Sequence, residues 1–345
     1  MYAYAGRILR VNLSDKSSEI VKLEKDLAEK YVGGSGLAAY FLYRCGVFGV
    51  DALSKDNVLA IFNGPLTGTS APSTSRAEFC AKSPLTGIWG ESNAGGKLAA
   101  FLKFAKWDGL IIEGSSDAPV YLLVDPNGVE IKDAEGIWGR GCYEAQDIIE
   151  KEVGERVSTA VIGPAGENLV KYACIQVDNS RHAGRTGMGA VMGSKKLKGI
   201  AVIYDSREIE IANPKEFENE VKALRERIDK NFTCNMFKEL GTGGYVETSE
   251  MFGDLPVKYF IQGTFEKASE ISGSKMASTF LKGNDGCFGC RIRCGRVVEI
   301  NGKTIHGPEY ETLATFGSLQ LIDDLKSLIE INYLANDLGV DTISA

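Results

Sequence analysis

Short apolar runs, each ended by Gly, Pro, Asp or Asn, follow one another through the first 205 residues of the chain. Runs of this length between turn-forming residues are typical of β-strands. They predict strands at residues 7–13, 57–62, 109–113, 120–124, 159–162 and 200–204. Apolar residues recur at helical spacing in three stretches between these runs, 37–43, 97–106 and 143–153. The pattern therefore predicts a first part that is rich in strands and has a few helices.

The apolar pattern changes to helical spacing beyond residue 205. Pro214 begins a predicted helix, because proline is favoured in the first helical turn. A short helix is predicted over 274–281, and a final helix over 325–338 with Asp323 as its N-cap. The elements together predict an α+β fold, with a strand-rich domain over residues 1–207 and a mainly helical domain over 208–345.

Composition and charge exclude several classes of protein. The 39 basic and 46 acidic residues give a net charge of −7, which offers no general electrostatic attraction to nucleic acid. No run approaches the roughly 20 apolar residues of a membrane-spanning helix. The N-terminus lacks the pattern of a signal peptide, so we expect a cytoplasmic protein whose eight cysteines stay reduced. With two histidines, His182 and His306, the chain cannot form a zinc site of three imidazoles.

Three cysteines, Cys287, Cys290 and Cys294, lie close together in the spacing C-x2-C-x3-C. This spacing lets successive thiolates turn back onto one metal centre. An iron–sulfur cluster usually takes four thiolates, and zinc, the alternative, also needs a fourth ligand. No fourth ligand is evident in the sequence. A loop of incidental cysteines is disfavoured, because three at such spacing rarely lack a ligand role.

Two glycine-rich loops are candidate anion-binding sites, residues 91–97 (ESNAGGK) and 181–195 (RHAGRTGMGAVMGSK). Glycine lets backbone N–H groups approach an anion, and arginine binds phosphate through two parallel hydrogen bonds. The second loop lacks the Gly-Lys-Ser/Thr of a P-loop, and it does not match a dinucleotide-binding pattern. From the residues alone, an ordinary helix start and an ordinary turn remain equally good interpretations.

Several longer segments together resemble the aldehyde ferredoxin oxidoreductase family, which comprises tungsten-containing pterin enzymes. They are YAGRILRVNLS, GPLTGTSAP, KSPLTG, IGPAGENLVKYA, AGRTGMGAVMGSK, CFGCRIRCGRV, GPEYE and NDLGVDTIS. The resemblance runs from the first residues to the last, but it covers only part of a family member. It implies an N-terminal domain of two β-sheets with flanking helices, which holds a tungsten or molybdenum bis-pterin. Part of a mainly helical domain with the cysteine cluster is expected to follow.

The resemblance also implies individual site residues. The cofactor-binding residues by this comparison are Arg76, Asn93, Gly95, Arg181, His182, Gly184, Arg185, Asn336, Val340 and Asp341. Arg76 corresponds to an arginine between the pterin and the iron–sulfur cluster. A magnesium ion is implied between the pterin phosphates, near the backbone carbonyls of Asn93 and His182. Asn336 stands where the family usually has an aspartate in its first pterin-binding motif.

The cluster and the catalytic acid–base group are implied in the same way. Cys287, Cys290 and Cys294 correspond to three ligands of a [4Fe-4S] cluster. Glu311 corresponds to a glutamate near the metal, where it would handle a proton of the aldehyde or its hydrate. In the family, the fourth cluster cysteine, a second pterin motif and a catalytic histidine all lie beyond the position that corresponds to residue 345.

The function implied is therefore that of the N-terminal part of an enzyme that oxidises aldehydes to carboxylic acids. Electrons would leave through the cluster to ferredoxin, and the cofactor would carry the chemistry. A second polypeptide that supplies the C-terminal half, and a homodimer, are further partner predictions. A truncated, non-catalytic remnant or subunit is the alternative function. A zinc or iron–sulfur protein of another kind, with a phosphate-bearing ligand, is a third interpretation.

Overall fold

The computed structural model describes residues 1–154 and 156–345. It divides the chain into two compact units. The first unit consists of residues 1–219, 287–289 and 337–341. The second unit consists of residues 220–286, 290–336 and 342–345. Two short segments that are late in the sequence therefore belong to the strand-rich first unit.

The first sheet of the first unit has six strands. They are β1 (Arg7–Asn12), β2 (Ser17–Lys22), β3 (Leu59–Phe62), β4 (Ala77–Lys82), β5 (Trp89–Ala94) and β6 (Gly109–Glu113). Their order is β2-β1-β6-β3-β4-β5, with β1 and β6 parallel and the other neighbours antiparallel. Strand β5 lies at one edge of the sheet.

The second sheet of this unit also has six strands. They are β7 (Val120–Asp125), β8 (Gly128–Asp133), β9 (Val157–Val161), β10 (Ile175–Val177), β11 (Arg181–Ala183) and β12 (Leu197–Ile203). Their order is β11-β10-β9-β12-β7-β8, with β7 and β12 parallel. Strand β11 is thus at an edge, and this edge carries two of the predicted site residues.

Helices separate and cover the two sheets. The helices that lie in or begin in the first unit are α1 (Lys25–Tyr31), α2 (Gly34–Arg44), α3 (Leu98–Phe104), α4 (Cys142–Val153), α5 (Pro164–Glu167), α6 (Met188–Ser194) and α7 (Pro214–Lys230). Helix α3 is buried along its whole length, because its residues pack into the core shared by both sheets. Helix α2 packs on the outer face of the first sheet, and α4 packs on the outer face of the second.

The second unit has its own core and a smaller sheet. Its helices are α8 (Phe232–Leu240), α9 (Tyr245–Phe252), α10 (Gly273–Thr279), α11 (Tyr310–Thr312) and α12 (Leu325–Leu338). Its antiparallel strands are β13 (Leu281–Asp285), β14 (Gly295–Ile300) and β15 (Lys303–His306). One apolar cluster, which includes Ile271, Met276 and Leu328, holds these elements together.

The α+β fold with two sheets and flanking helices is confirmed, as are the predicted strands. The prediction that Asp323 caps the final helix is wrong, since the Ser327 N–H donates to Asp324 Oδ2 at 3.1 Å. The three-stranded sheet of the second unit was not predicted. None of the helices in 1–154 and 156–345 combines the length and apolar character that a transmembrane span requires.

Candidate functional site

Three polar side chains share one face of the β4–β5 pair. Arg76 directly precedes β4, and Glu78 on β4 lies opposite Asn93 on β5. The Arg76 Nε–H donates to Asn93 Oδ1, and Nη2 donates to the Asn93 carbonyl oxygen at 3.3 Å. The Asn93 amide in turn donates to Glu78 Oε1. Burial raises the pKa of Glu78, and the hydrogen bond from Asn93 opposes this shift.

Gly95 lies at the point where several predicted site residues converge. A Cβ at this position would lie 2.4 Å from Cys287 Sγ and 3.6 Å from both Arg181 Cδ and Arg76 Nη1. The position therefore has no room for a side chain. The N–H of Phe288 donates to the Gly96 carbonyl at 3.0 Å, which fixes the cysteine-bearing segment beside β5. Two arginines and one thiol thus surround a glycine, all within the first unit.

Strand β11 and the loop after it supply the rest of this surface. His182 on β11 lies opposite Gln176, with 3.2 Å between His182 Nε2 and Gln176 Nε2. A Cβ at Gly184 would meet nothing within 4 Å, so the backbone there faces open space. The N–H of Arg185 donates to Ser92 Oγ at 3.1 Å, which ties this loop to β5. Both predicted glycine-rich loops therefore meet at the same strand.

The late segment 337–341 adds a buried carboxylate. Asp341 is 3% exposed, and its Oδ2 lies 2.8 Å from Arg185 Nη1. Its N–H donates to the Tyr172 carbonyl at 3.2 Å, and Val340 forms an antiparallel bridge with Ala173. The backbone of the segment is thus anchored beside the arginine loop.

Comparison with known proteins places the chain in a family. The family model described as the aldehyde ferredoxin oxidoreductase N-terminal domain matches residues 8–204, and the model for domains 2 and 3 of that enzyme matches 219–345. The chain belongs to the aldehyde ferredoxin oxidoreductase family. The resemblance noted from the sequence motifs is therefore confirmed.

The chain is similar to named family members over its full length. It is 44% identical over 351 residues to a tungsten-containing aldehyde ferredoxin oxidoreductase of Pyrococcus furiosus and 42% identical over 350 residues to one of Thermococcus kodakarensis. It is 31% identical over 379 residues to an aliphatic sulfonate oxidoreductase, WOR-like subunit, of Pyrococcus furiosus. All of this chain is covered in each case, but it spans 57%, 57% and 58% of these relatives.

A solved structure has the same fold. The active site complex BamBC of benzoyl coenzyme A reductase, with 1,5-dienoyl-CoA bound, matches 99% of this chain with a TM-score of 0.87 at 29% sequence identity. This chain covers 54% of that structure's chain. The aldehyde ferredoxin oxidoreductase fold is therefore present across the length of this chain.

The remaining predicted residues belong to the second unit. Cys290 and Cys294 are partly buried, Glu311 is exposed on α11, and Asn336 is buried on α12. Within residues 1–154 and 156–345, no three side chains of His, Cys, Asp or Glu are grouped as a metal site. The thiolate set of the family's cluster thus stays a prediction.

Arginines near the cysteines have structural partners. Arg291 pairs with Asp229, and Arg293 donates to the Asn284 carbonyl at 2.6 Å. Arg296 donates to four backbone carbonyls, including that of Cys294 at 3.1 Å. Their contacts hold the loop that carries the cysteines.

Glu78 is the residue of this surface that sequence reasoning missed. The resemblance to the family implied no role for this position. The available signal was its position two residues after Arg76, which places both side chains on one face of a strand.

Proposed function

We propose that this chain is the N-terminal part of an aldehyde ferredoxin oxidoreductase, with residues 1–207 as the pterin-holding domain and 208–345 as part of the domain that carries the cluster. The reaction converts an aldehyde and water into a carboxylate, with three protons and two electrons released. The observation that carries the proposal is the convergence of Arg76, Arg181 and Cys287 on Gly95.

The first unit fits a phosphate-bearing pterin by the chemistry of its donors. Arg76, Arg181 and Arg185 offer guanidinium groups, which bind phosphate with two hydrogen bonds. Gly184 leaves its backbone open to solvent, which suits close approach of an anion, and Gly95 lets two arginines lie close to the backbone. The buried carboxylate of Asp341 is an acceptor suited to the N–H groups of a pterin. We propose that His182 and Val340 complete this set in the first unit, with magnesium near Asn93 and His182. The family resemblance supports Asn336 as a further pterin-binding residue.

The cysteines fit an iron–sulfur cluster by ligand type. Cys287, Cys290 and Cys294 would supply three thiolates of a [4Fe-4S] cluster, with the fourth ligand from the rest of the protein. The placement of Cys287 Sγ beside Gly95 supports this, since it puts one thiol next to Arg76. When bound, the tungsten or molybdenum bis-pterin supplies the two-electron oxidation, and the cluster carries electrons onward.

Glu311 is the proposed catalytic residue. Its side chain is exposed. It would accept a proton from an aldehyde hydrate that lies within hydrogen-bond distance of the carboxylate. The Thr315 hydroxyl donates to the Glu311 carbonyl at 2.7 Å, which fixes the backbone at this position. Ferredoxin as the electron acceptor, an aldehyde substrate, a second polypeptide, a homodimer and a cytoplasmic location remain part of the proposal.

Elemental analysis tests the proposal. The chain is produced anaerobically together with the remaining part of the family sequence, in medium that contains tungstate and molybdate. We expect iron together with tungsten or molybdenum, and aldehyde-dependent reduction of a viologen dye. Iron without either of the two metals, or zinc alone, contradicts it. Aldehyde-dependent dye reduction by the isolated chain would exclude the non-catalytic alternative.

Substitution of the arginines locates the pterin site. Arg181→Ala and Arg185→Ala should each lower the tungsten or molybdenum content while iron stays. Arg10→Ala is the matched control, because Arg10 is paired with Glu113 at 2.7 Å on a different part of the first unit. Equal metal loss in all three variants would contradict the assignment.

A further inference from the structure

Glu78 lies beside the candidate site but has no assigned role. It occupies β4 directly opposite Asn93, two residues after Arg76. The three side chains form one chain of hydrogen bonds, in which Arg76 donates to Asn93 and Asn93 donates to Glu78. We propose that Glu78 is a positioning residue, which fixes the Asn93 amide and through it the Arg76 guanidinium.

The two ends of the Asn93 amide bind different partners. The oxygen accepts from Arg76 Nε, and the nitrogen donates to Glu78 Oε1. A rotated amide would present its oxygen to the carboxylate and its N–H groups to the guanidinium, so neither contact would pair a donor with an acceptor. Glu78 therefore selects one of the two amide orientations. The selected amide orientation then offers Arg76 an acceptor.

The surroundings of Glu78 keep its carboxylate in place. A Cβ at Gly34 would lie 3.2 Å from Glu78 Cγ, so the side chain lies against the start of α2. Its second oxygen, Oε2, is buried and has no hydrogen-bond partner within residues 1–154 and 156–345. Burying a carboxylate oxygen without a donor is unfavourable for stability. A pair of apolar side chains could join β4 to β5 without burying an unpaired carboxylate oxygen. The presence of Glu78 therefore favours a positioning role over a purely structural one.

The position of the Arg76 guanidinium matters because Cys287, a candidate cluster ligand, lies beside it. Arg76 Nη1 and Cys287 Sγ both lie close to the point where a Gly95 Cβ would stand, at 3.6 Å and 2.4 Å respectively. A fixed positive charge at this distance would influence the reduction potential of a cluster held by Cys287. This last consequence rests on the proposed function, whereas the link from Glu78 to Arg76 does not.

The first test uses the chain without any cofactor. In ¹⁵N-labelled protein, the Arg76 Nε–H signal is assigned by its absence from Arg76→Lys. Glu78→Gln keeps an acceptor of the same shape, so we expect the signal and its exchange rate to match the unsubstituted chain. Glu78→Met keeps the volume but removes the acceptor, and we expect hydrogen exchange of this group to be about tenfold faster.

Two further variants keep this result interpretable. Glu91→Gln removes a neighbouring negative charge on β5 without touching the amide, and it should leave the Arg76 signal unchanged. Asn93→Ala removes the acceptor of Arg76 directly and so gives the full size of the effect. If Glu78→Met does not fold, Glu78→Ala takes its place. An Arg76 signal unaffected by Glu78→Met, or a folded Glu78→Gln that behaves like Glu78→Met, overturns the proposal.

A second test separates this proposal from the proposed function. In the chain produced together with the remaining part of the family sequence and reconstituted with iron and sulfide, the midpoint potential of the cluster is measured for Glu78→Met, Asn93→Ala and the double variant. We expect the double variant to shift the potential no further than Asn93→Ala alone. Additive shifts would mean that Glu78 acts by its own charge, which overturns the positioning role. Failure to form a cluster would count against the proposed function, while the Arg76 exchange result would still decide the positioning role.

Discussion

Asp341 and Arg185 are 156 positions apart in sequence, yet Arg185 Nη1 lies 2.8 Å from Asp341 Oδ2. The carboxylate is almost completely buried, whereas the arginine side chain is about half exposed. The contact joins the end of the chain to the loop after β11, so two family motifs that are distant in sequence meet in one unit.

Removal of Arg185 alone should lower the free energy of unfolding more than removal of both the Arg185 and Asp341 charges. Arg185→Met removes the guanidinium that pairs with the buried Asp341 carboxylate, so the free energy of unfolding should fall by about 1–3 kcal/mol. Asp341→Asn combined with Arg185→Met should restore part of this loss, because no buried charge remains. Urea denaturation of the single and double variants measures the difference. A double variant that is no more stable than Arg185→Met would contradict the expectation.

Gly95→Ala should disturb the cysteine segment. The new methyl group would lie 2.4 Å from Cys287 Sγ, so the segment must shift. We expect the free energy of unfolding to fall by about 1–3 kcal/mol, as in other overpacked sites, and Cys287 to react faster with iodoacetamide. Gly136→Ala is the control, because a Cβ there meets nothing within 4 Å. Similar stability of the two variants would show that the site can absorb the methyl group.

Strands that are apolar on both faces were predictable from the sequence. The runs at β3, β6 and β12 are buried almost throughout. One face of each strand packs on the core between the two sheets, and the other face packs on a helix. Such strands appear as continuous apolar runs. Strand β5 was missed because Glu91, Ser92 and Asn93 interrupt its apolar pattern, and these polar residues are the ones that face the site or bond to its loops.

The candidate site could be predicted only in part for a related reason. The resemblance to the family implied roles for Arg76, Asn93 and Asp341, but a resemblance in sequence does not give distances. The contacts of Gly95 with Cys287 depend on how residues 287–289 return to the first unit, which no local pattern encodes. Glu78 was missed because its role depends on the strand register that places it opposite Asn93.

Lys195 should make the free energy of unfolding depend on pH in the alkaline range. It is fully buried, and its Nζ donates to the carbonyls of Asn57 at 2.5 Å and Gly114 at 2.9 Å. Burial lowers its pKa from 10.5 to about 8. Between these two values the unfolded chain binds more protons than the folded chain, so stability rises with pH by up to about 1.4 kcal/mol per pH unit.

Comparison with Lys195→Met isolates this contribution. The variant has no titrating group at this position, and it leaves the carbonyl oxygens of Lys55, Asn57 and Gly114 without this donor. We expect it to be less stable than the unsubstituted chain, and the gap should widen as pH rises from about 8 towards 10.5. Urea denaturation at several pH values in this range measures the gap. A gap that stays constant across the range would show that the pKa of Lys195 is close to its ordinary value.

Thiol alkylation should separate the candidate cluster ligands from the structural cysteines. In the folded chain, Cys287, Cys290 and Cys294 are partly accessible, so iodoacetamide should modify them. Cys174 should stay unmodified, because it is buried and burial raises its pKa to about 12. After reconstitution with iron and sulfide together with the remaining part of the family sequence, modification of the three candidate ligands should fall sharply. Modification of Cys234, which is also partly accessible, should not change. Mass spectrometry of peptides measures each site, and equal protection of Cys234 would contradict the assignment of Cys287, Cys290 and Cys294 as the three ligands from this chain.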